Sequence, residues 1–111
     1  MTVQMREYGA VTVVKLDGPL TDTDADKLKA ELLEIIGRTL GRVALDLSAV
    51  SYVDSKGLEA LVDVTHELHQ SGKALKLCAA NETLRQVLAL TDLSTQFEHF
   101  EDANSAIRSF L

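Results

Sequence analysis

Asp54, Ser55, Lys56 and Gly57 stand where a buried-strand pattern gives way to a helix, and their types and spacing suit chemistry better than any other cluster in the chain. Two short polar side chains, Asp54 and Ser55, can accept hydrogen bonds from the free backbone N–H groups of a helix start. A hydroxyl presented there sits in a field of roughly +0.5 elementary charge, with unpaired donors aimed outward. A phosphate added to Ser55 would be well received. On local pattern alone, either Asp54 or Ser55 also serves as a plain N-cap, worth about 1 kcal/mol. Gly57 lets backbone come close, and Lys56 puts positive charge in a first turn, where the macrodipole disfavours it by about 0.3–1 kcal/mol.

Other chemistries fit less well. His66 and His69 stand three apart and, with His99 or Cys78, could suggest zinc. The sequence His66-Glu67-Leu68-His69 lacks the i, i+4 spacing of a zinc-binding helix, however, and there is no C-x-x-C pair, so no metal is expected. Neither glycine-rich phosphate loop is present, so a phosphate-binding enzyme loop is unsupported, and neither a cofactor nor enzyme activity is expected. A phospho-acceptor aspartate at Asp46 or Asp54 would suit an α/β order but leaves the run Asp54-Ser55-Lys56-Gly57-Leu58 unexplained.

The elements that must hold Ser55 can be read outward from it. Val43, Ala44, Leu45 and Leu47 form an apolar run suited to a strand covered on both faces, with Asp46 near its exposed end. Ser48 to Ser51 break that run, and Val50 and Val53 turn inward. After Gly57, Leu58, Leu61, Val62, Thr65 and Leu68 recur at helical spacing until Gln70-Ser71-Gly72. Upstream, Val3 to Tyr8 and Ala10 to Leu16 read as an antiparallel hairpin turning near Tyr8-Gly9. Asp17-Gly18-Pro19 ends its second strand, and Thr21-Asp22-Thr23-Asp24 can cap a helix whose stripe is Ala25, Leu28, Leu32, Ile35, Ile36 and Leu40, closed by Gly37 and Gly41.

Downstream, Ala74 to Cys78 is another short strand, and Asn81-Glu82 caps a helix carrying Leu84, Val87 and Leu88, stopped by Thr91-Asp92. Gln96 to Phe100 reads as a last strand, and Asp102 caps a closing helix with Ala106, Ile107 and Phe110. The order is β-β-α-β-α-β-α-β-α, which implies an α/β fold with a mixed, mostly parallel sheet packed with helices.

With 111 residues, the chain is expected to form one domain over 1–111, burying about two-thirds of the surface its unfolded form exposes. A formal net charge of −6 with scattered basic residues argues against nucleic acid and for a basic partner surface. Cys78 is the only cysteine, so no intramolecular disulfide can form, which fits a reducing compartment. The start MTVQMREYG has no apolar h-region, and no run reaches the 18 or more apolar residues of a membrane span, so neither signal peptide nor membrane insertion is expected. A cytoplasmic location follows as an expectation.

The run DLSAVSYVDSKGLEAL, Asp46 to Leu61, resembles the signature of STAS domains, in particular the bacterial anti-sigma factor antagonists. There a strand ends in Asp-Leu-Ser, an apolar pair follows, and Asp-Ser-x-Gly-Leu opens a helix. The resemblance extends over essentially the whole chain and implies the same element order. It implies a partner that is both an anti-sigma factor and a serine kinase: the antagonist binds it and frees the sigma factor, and phosphorylation of the motif serine, Ser55 here, switches binding off until a phosphatase restores it. The implied partner surface comprises Gly18, Thr21, Asp22, Asp24, Asp54, Ser55, Lys56 and Gly57, on a monomer or weak dimer. Two positions depart from the family pattern. Thr21 stands where many antagonists have an acidic residue, and Lys56 where the residue is usually small and uncharged. A STAS domain serving as accessory subunit of a transporter or of a larger signalling complex, with Ser55 never phosphorylated, is the alternative.

Overall fold

The computed structural model describes residues 1–111. Strands β1 (Thr2–Tyr8) and β2 (Val11–Asp17) pair antiparallel, Tyr8 opposite Val11 across the two-residue turn Gly9-Ala10. Gly9 has φ 63°, the left-handed conformation that the first turn residue of a type II′ hairpin needs. Helix α1 (Asp22–Thr39), β3 (Val43–Ala49), α2 (Ser55–His69), β4 (Leu75–Cys78), α3 (Glu82–Leu90), a 3-10 turn (Ser94–Gln96), β5 (Phe97–Phe100) and α4 (Ala103–Arg108) follow. The five strands lie in the order β1-β2-β3-β4-β5, all parallel beyond the first pair. Apart from the added 3-10 turn, this is the order expected from the sequence.

Alternation along the strands sorts side chains onto two faces of the sheet. Val14 and Leu16 of β2, Val43, Leu45 and Leu47 of β3, and Leu75 and Leu77 of β4 meet Leu28, Leu32 and Ile35 of α1 and Leu61, Val64 and Leu68 of α2 in the principal core. Burying each of these Leu, Ile or Val side chains stabilises the fold by roughly 1.5–3 kcal/mol. The opposite face is thinner: Val13, Ala44, Cys78 and Ala106 form a small cluster beneath α4, with Phe100, Ile107 and Phe110 at its margin. Thr65 is buried among apolar groups with its hydroxyl satisfied twice. It donates to Gln96 O at 2.7 Å and accepts from Leu75 N at 3.0 Å, tying α2 to the start of β4 and to the 3-10 turn.

Several boundaries differ from those read in the sequence, each for a local reason. Gly37 does not close α1 but lies inside it. The helix ends at Leu40, which takes the left-handed conformation (φ 57°) and points outward at 67% exposure instead of joining the buried stripe. Gly41 then donates to Ile36 O at 3.0 Å and completes the stop. Strand β3 runs on through Ser48 and Ala49 because Gly18 N, donating to Ala49 O at 3.0 Å, prolongs the ladder with β2. Ala10 belongs to the turn and not to β2, and Gln96 to the 3-10 turn and not to β5. Val87 faces solvent, since Leu84 and Leu88 alone carry the buried side of the short α3.

Candidate functional site

Two loops meet at one end of the fold. Leaving β2, Gly18 has φ 107° and hands the chain to Pro19 and Leu20. Leu20 N donates to Tyr52 O (3.0 Å) and Asp54 N donates to Leu20 O (3.1 Å), a short parallel bridge between the segment entering α1 and the segment entering α2. Leu20 is fully buried and Val50 nearly so, so the two loops share one apolar floor. Gly57 explains how closely they approach. A Cβ there would lie 2.6 Å from Leu20 O, 2.8 Å from Leu20 Cγ and 2.9 Å from Val53 Cγ1, and the carbonyl could not yield without breaking the bridge.

Asp54 joins the two helix starts. Its Oδ1 accepts from Gly57 N at 2.8 Å, capping α2, and its Oδ2 accepts from Asp22 N at 2.9 Å, the first residue of α1. Of the two candidate caps in the sequence, Asp54 therefore takes the position, and Ser55 becomes the first helical residue with its side chain exposed. Thr21 stands at the N-cap of α1 without a side-chain bond, so the cap expected from its own cluster comes from Asp54 on the other loop. Asp24 turns toward the Met1 amino group (3.7 Å), while Asp22 stays exposed. Lys56, also exposed, pairs with Glu59 at 3.6 Å, which places a carboxylate beside the charge that the macrodipole disfavours. The structure thus brings the start of α1, Thr21 and Asp22, to Asp54, Ser55, Lys56 and Gly57 at the start of α2, while Gly18 bonds to Ala49 at the end of β3 and Asp24 faces Met1.

Asn81, read from the sequence only as a cap, does more. Its Oδ1 accepts from Leu84 N at 2.8 Å, and its Nδ2 donates to Val50 O (3.3 Å) and Ser51 O (3.1 Å), bracing the loop that leads to Ser55. Lys29 of α1 and Asp63 of α2 link the two helices at 3.1 Å. No short-range pattern marks either contact, since both join residues about thirty positions apart.

The remaining candidates fall elsewhere. Asp46 lies on the α4 side of the sheet, where its Oδ1 accepts from Ser48 N at 2.9 Å. Cys78 is buried there too, and burial, with a smaller contribution from the Asp46 and Asp102 carboxylates, pushes its thiol up to about 12. His69 Nε2 lies 3.1 Å from Gln96 O, and His99 Nε2 lies 2.8 Å from Ser94 O, so both rings engage the 3-10 turn.

The STAS domain model matches residues 2–106, the full sheet and all the helices but the end of α4. The chain belongs to the STAS domain family. Among STAS relatives, BtrV of Bordetella bronchiseptica, assigned as an anti-sigma factor antagonist, is 26% identical over 110 residues, covering 99% of this chain and 95% of that protein. The anti-sigma-F factor antagonist RsfB of Mycobacterium tuberculosis is 25% identical over 107 residues, 96% of this chain and 87% of RsfB. The fold is also that of the anti-sigma factor antagonist SpoIIAA, solved unphosphorylated (TM-score 0.75, 18% identity, 98% of this chain and 97% of that one). A phosphorylated form of SpoIIAA, from Bacillus, matches as well (TM-score 0.74, 18% identity, 99% of this chain and 100% of that one).

Proposed function

We propose that this STAS domain is an anti-sigma factor antagonist: it binds an anti-sigma factor that is also a serine kinase, frees the sigma factor, and is switched off by phosphorylation of Ser55. The observation that carries the reading is the exposed Ser55 hydroxyl at the first position of α2, beside an Asp54 carboxylate that holds both loops of the candidate surface. The names of BtrV and RsfB support the partner class, and the phosphorylated form of SpoIIAA supports the switch. The domain acts as a regulator in the cytoplasm and not as an enzyme, and a phosphatase resets it.

The physical mechanism is local. A phosphate adds about −1.5 to −2 charge, and on Ser55 it stands beside Asp54 and near Asp22 at the start of α1. The crowding of like charge at the docking surface and the added bulk then oppose docking, and no refolding is required. Affinity capture from the native cell tests this reading. Wild type is expected to retain an anti-sigma factor with a kinase domain, and Ser55→Asp to lose it while keeping a native far-UV circular dichroism spectrum. Capture of transporter components in its place, indifferent to Ser55→Asp, would replace the reading with the accessory-subunit role.

A further inference from the structure

Strand β1 is an edge of the sheet, paired with β2 on one side only. Its free side can be worked out from the register. Thr12 N donates to Arg42 O at 2.9 Å and so faces β3, which makes Glu7–Thr12 a pair without mutual backbone bonds. By alternation Thr2, Gln4, Arg6 and Tyr8 bond to β2, and Val3, Met5 and Glu7 turn their N–H and C=O groups to the open edge. Natural edges are commonly blunted by proline, lysine, bulges or a covering element. β1 contains neither proline nor lysine, pairs with β2 without a register shift, and leaves Met5 (53%) and Tyr8 (44%) well exposed.

We propose that β1 is a self-pairing surface, on which a second copy of this chain adds its own β1 antiparallel about a two-fold axis at Met5, joining the two sheets into one. This register pairs the whole of β1 from Thr2 to Tyr8 and opposes no like charges. The outward residues Val3, Met5 and Glu7 are symmetric about Met5, so Met5 meets the second copy's Met5 and Val3 meets its Glu7, and every outward N–H and C=O finds a partner. On the other face Gln4 stands opposite the second copy's Arg6, and Thr2 opposite its Tyr8. No like charges are opposed. A shift of one residue in the centre, onto Arg6, would set Arg6 against Arg6, and a further one, onto Glu7, would set Glu7 against Glu7. On the core face Met5 borders a shallow groove with Glu31, Glu34, Ile35 and Arg38 of α1, into which the partner methionine fits. Such a contact is small, and a weak, concentration-dependent dimer is the form it takes.

Sedimentation equilibrium over a concentration series up to about 1 mM reads the association directly, as a rise from the 12.1 kDa chain mass toward twice that value. Met5→Pro removes an outward N–H without touching the β1–β2 ladder, and is expected to abolish the dimer with an unchanged circular dichroism spectrum. The register has its own test. Gln4→Glu faces Arg6 twice in the dimer and is expected to lower Kd by about 2- to 30-fold, and Gln4→Arg to raise it by a similar factor. These exposed changes keep the proposal testable if Met5→Pro fails to fold. Monomer at every concentration, a dimer indifferent to Met5→Pro in a folded variant, or weakening by Gln4→Glu would each overturn the proposal.

Discussion

Replacing Asp54 by asparagine separates the two tasks of that side chain. The carboxylate caps α2 through Gly57 N and holds the first residue of α1 through Asp22 N. Asparagine keeps one carbonyl oxygen able to accept from Gly57, but its other arm is an NH2 group, a donor facing the donor of Asp22. Alanine removes both. An N-cap is worth about 0.5–2 kcal/mol, and a negative charge at a helix start about 0.3–1 kcal/mol for each helix it serves. Asp54→Ala is thus expected to lose about 1.5–3 kcal/mol and Asp54→Asn about 0.5–1.5 kcal/mol. At about 4–8 °C per kcal/mol for a domain near this size, the alanine variant should melt roughly 6–24 °C lower and the asparagine variant between it and wild type. Urea unfolding at neutral pH gives the free energies. Amide hydrogen exchange then assigns them: Asp54→Asn should lose protection at Asp22 while Gly57 stays protected. Equal stability of wild type and Asp54→Asn, with protection at Asp22 intact, would refute the claim that one carboxylate ties the two helix starts together.

Three further outcomes follow from the same contacts. Thr65→Val removes the hydroxyl that satisfies the buried Leu75 N–H and should destabilise the domain by about 1–3 kcal/mol in denaturant titrations, whereas a cost below about 0.5 kcal/mol would mean that this bond is replaceable. The buried Cys78 thiol, raised from 9.0 to about 12, favours its neutral form in the folded state. Its contribution to stability is complete below pH 9 and fades as pH rises from there toward 12, and native protein near pH 8 should alkylate far more slowly than unfolded protein. Lys56→Ala breaks an exposed pair with Glu59 and relieves an unfavourable dipole contact, so unfolding free energy should change by less than about 0.5 kcal/mol; a loss above 1 kcal/mol would show that the lysine stabilises the fold.

Short-range chemistry determines what is legible in the amino-acid sequence. The hairpin was legible because Gly9 sits between two β-branched runs, and the start of α2 because Asp54, Ser55 and Gly57 form a local cap with close backbone approach. Of the two glycines expected to close α1, Gly41 completes the stop and Gly37 does not, because a glycine inside a helix costs only about 1 kcal/mol, which the buried Leu28, Leu32 and Ile35 outweigh, while Leu40 adopts the left-handed turn usually left to glycine. At the candidate site, the cluster of residues was legible and its wiring was not. The bond from Asp54 to Asp22 spans 32 positions, and that from Asn81 to Val50 spans 31, and no local pattern encodes which distant backbone group a spare carboxylate or amide will meet. Val87 shares the helical spacing of Leu84 and Leu88, but the nine-residue α3 buries too narrow a stripe to include it.

Whether Ser55 is the switch is decided by intact-mass analysis coupled to binding. Wild type and Ser55→Ala are incubated with the captured anti-sigma factor kinase and Mg-ATP, and each product is titrated against that partner. Wild type is expected to gain a single phosphate and lose affinity, and Ser55→Ala to gain none and keep binding. A phosphate appearing on both proteins, or a phosphorylated wild type that binds as tightly as before, would contradict the claim.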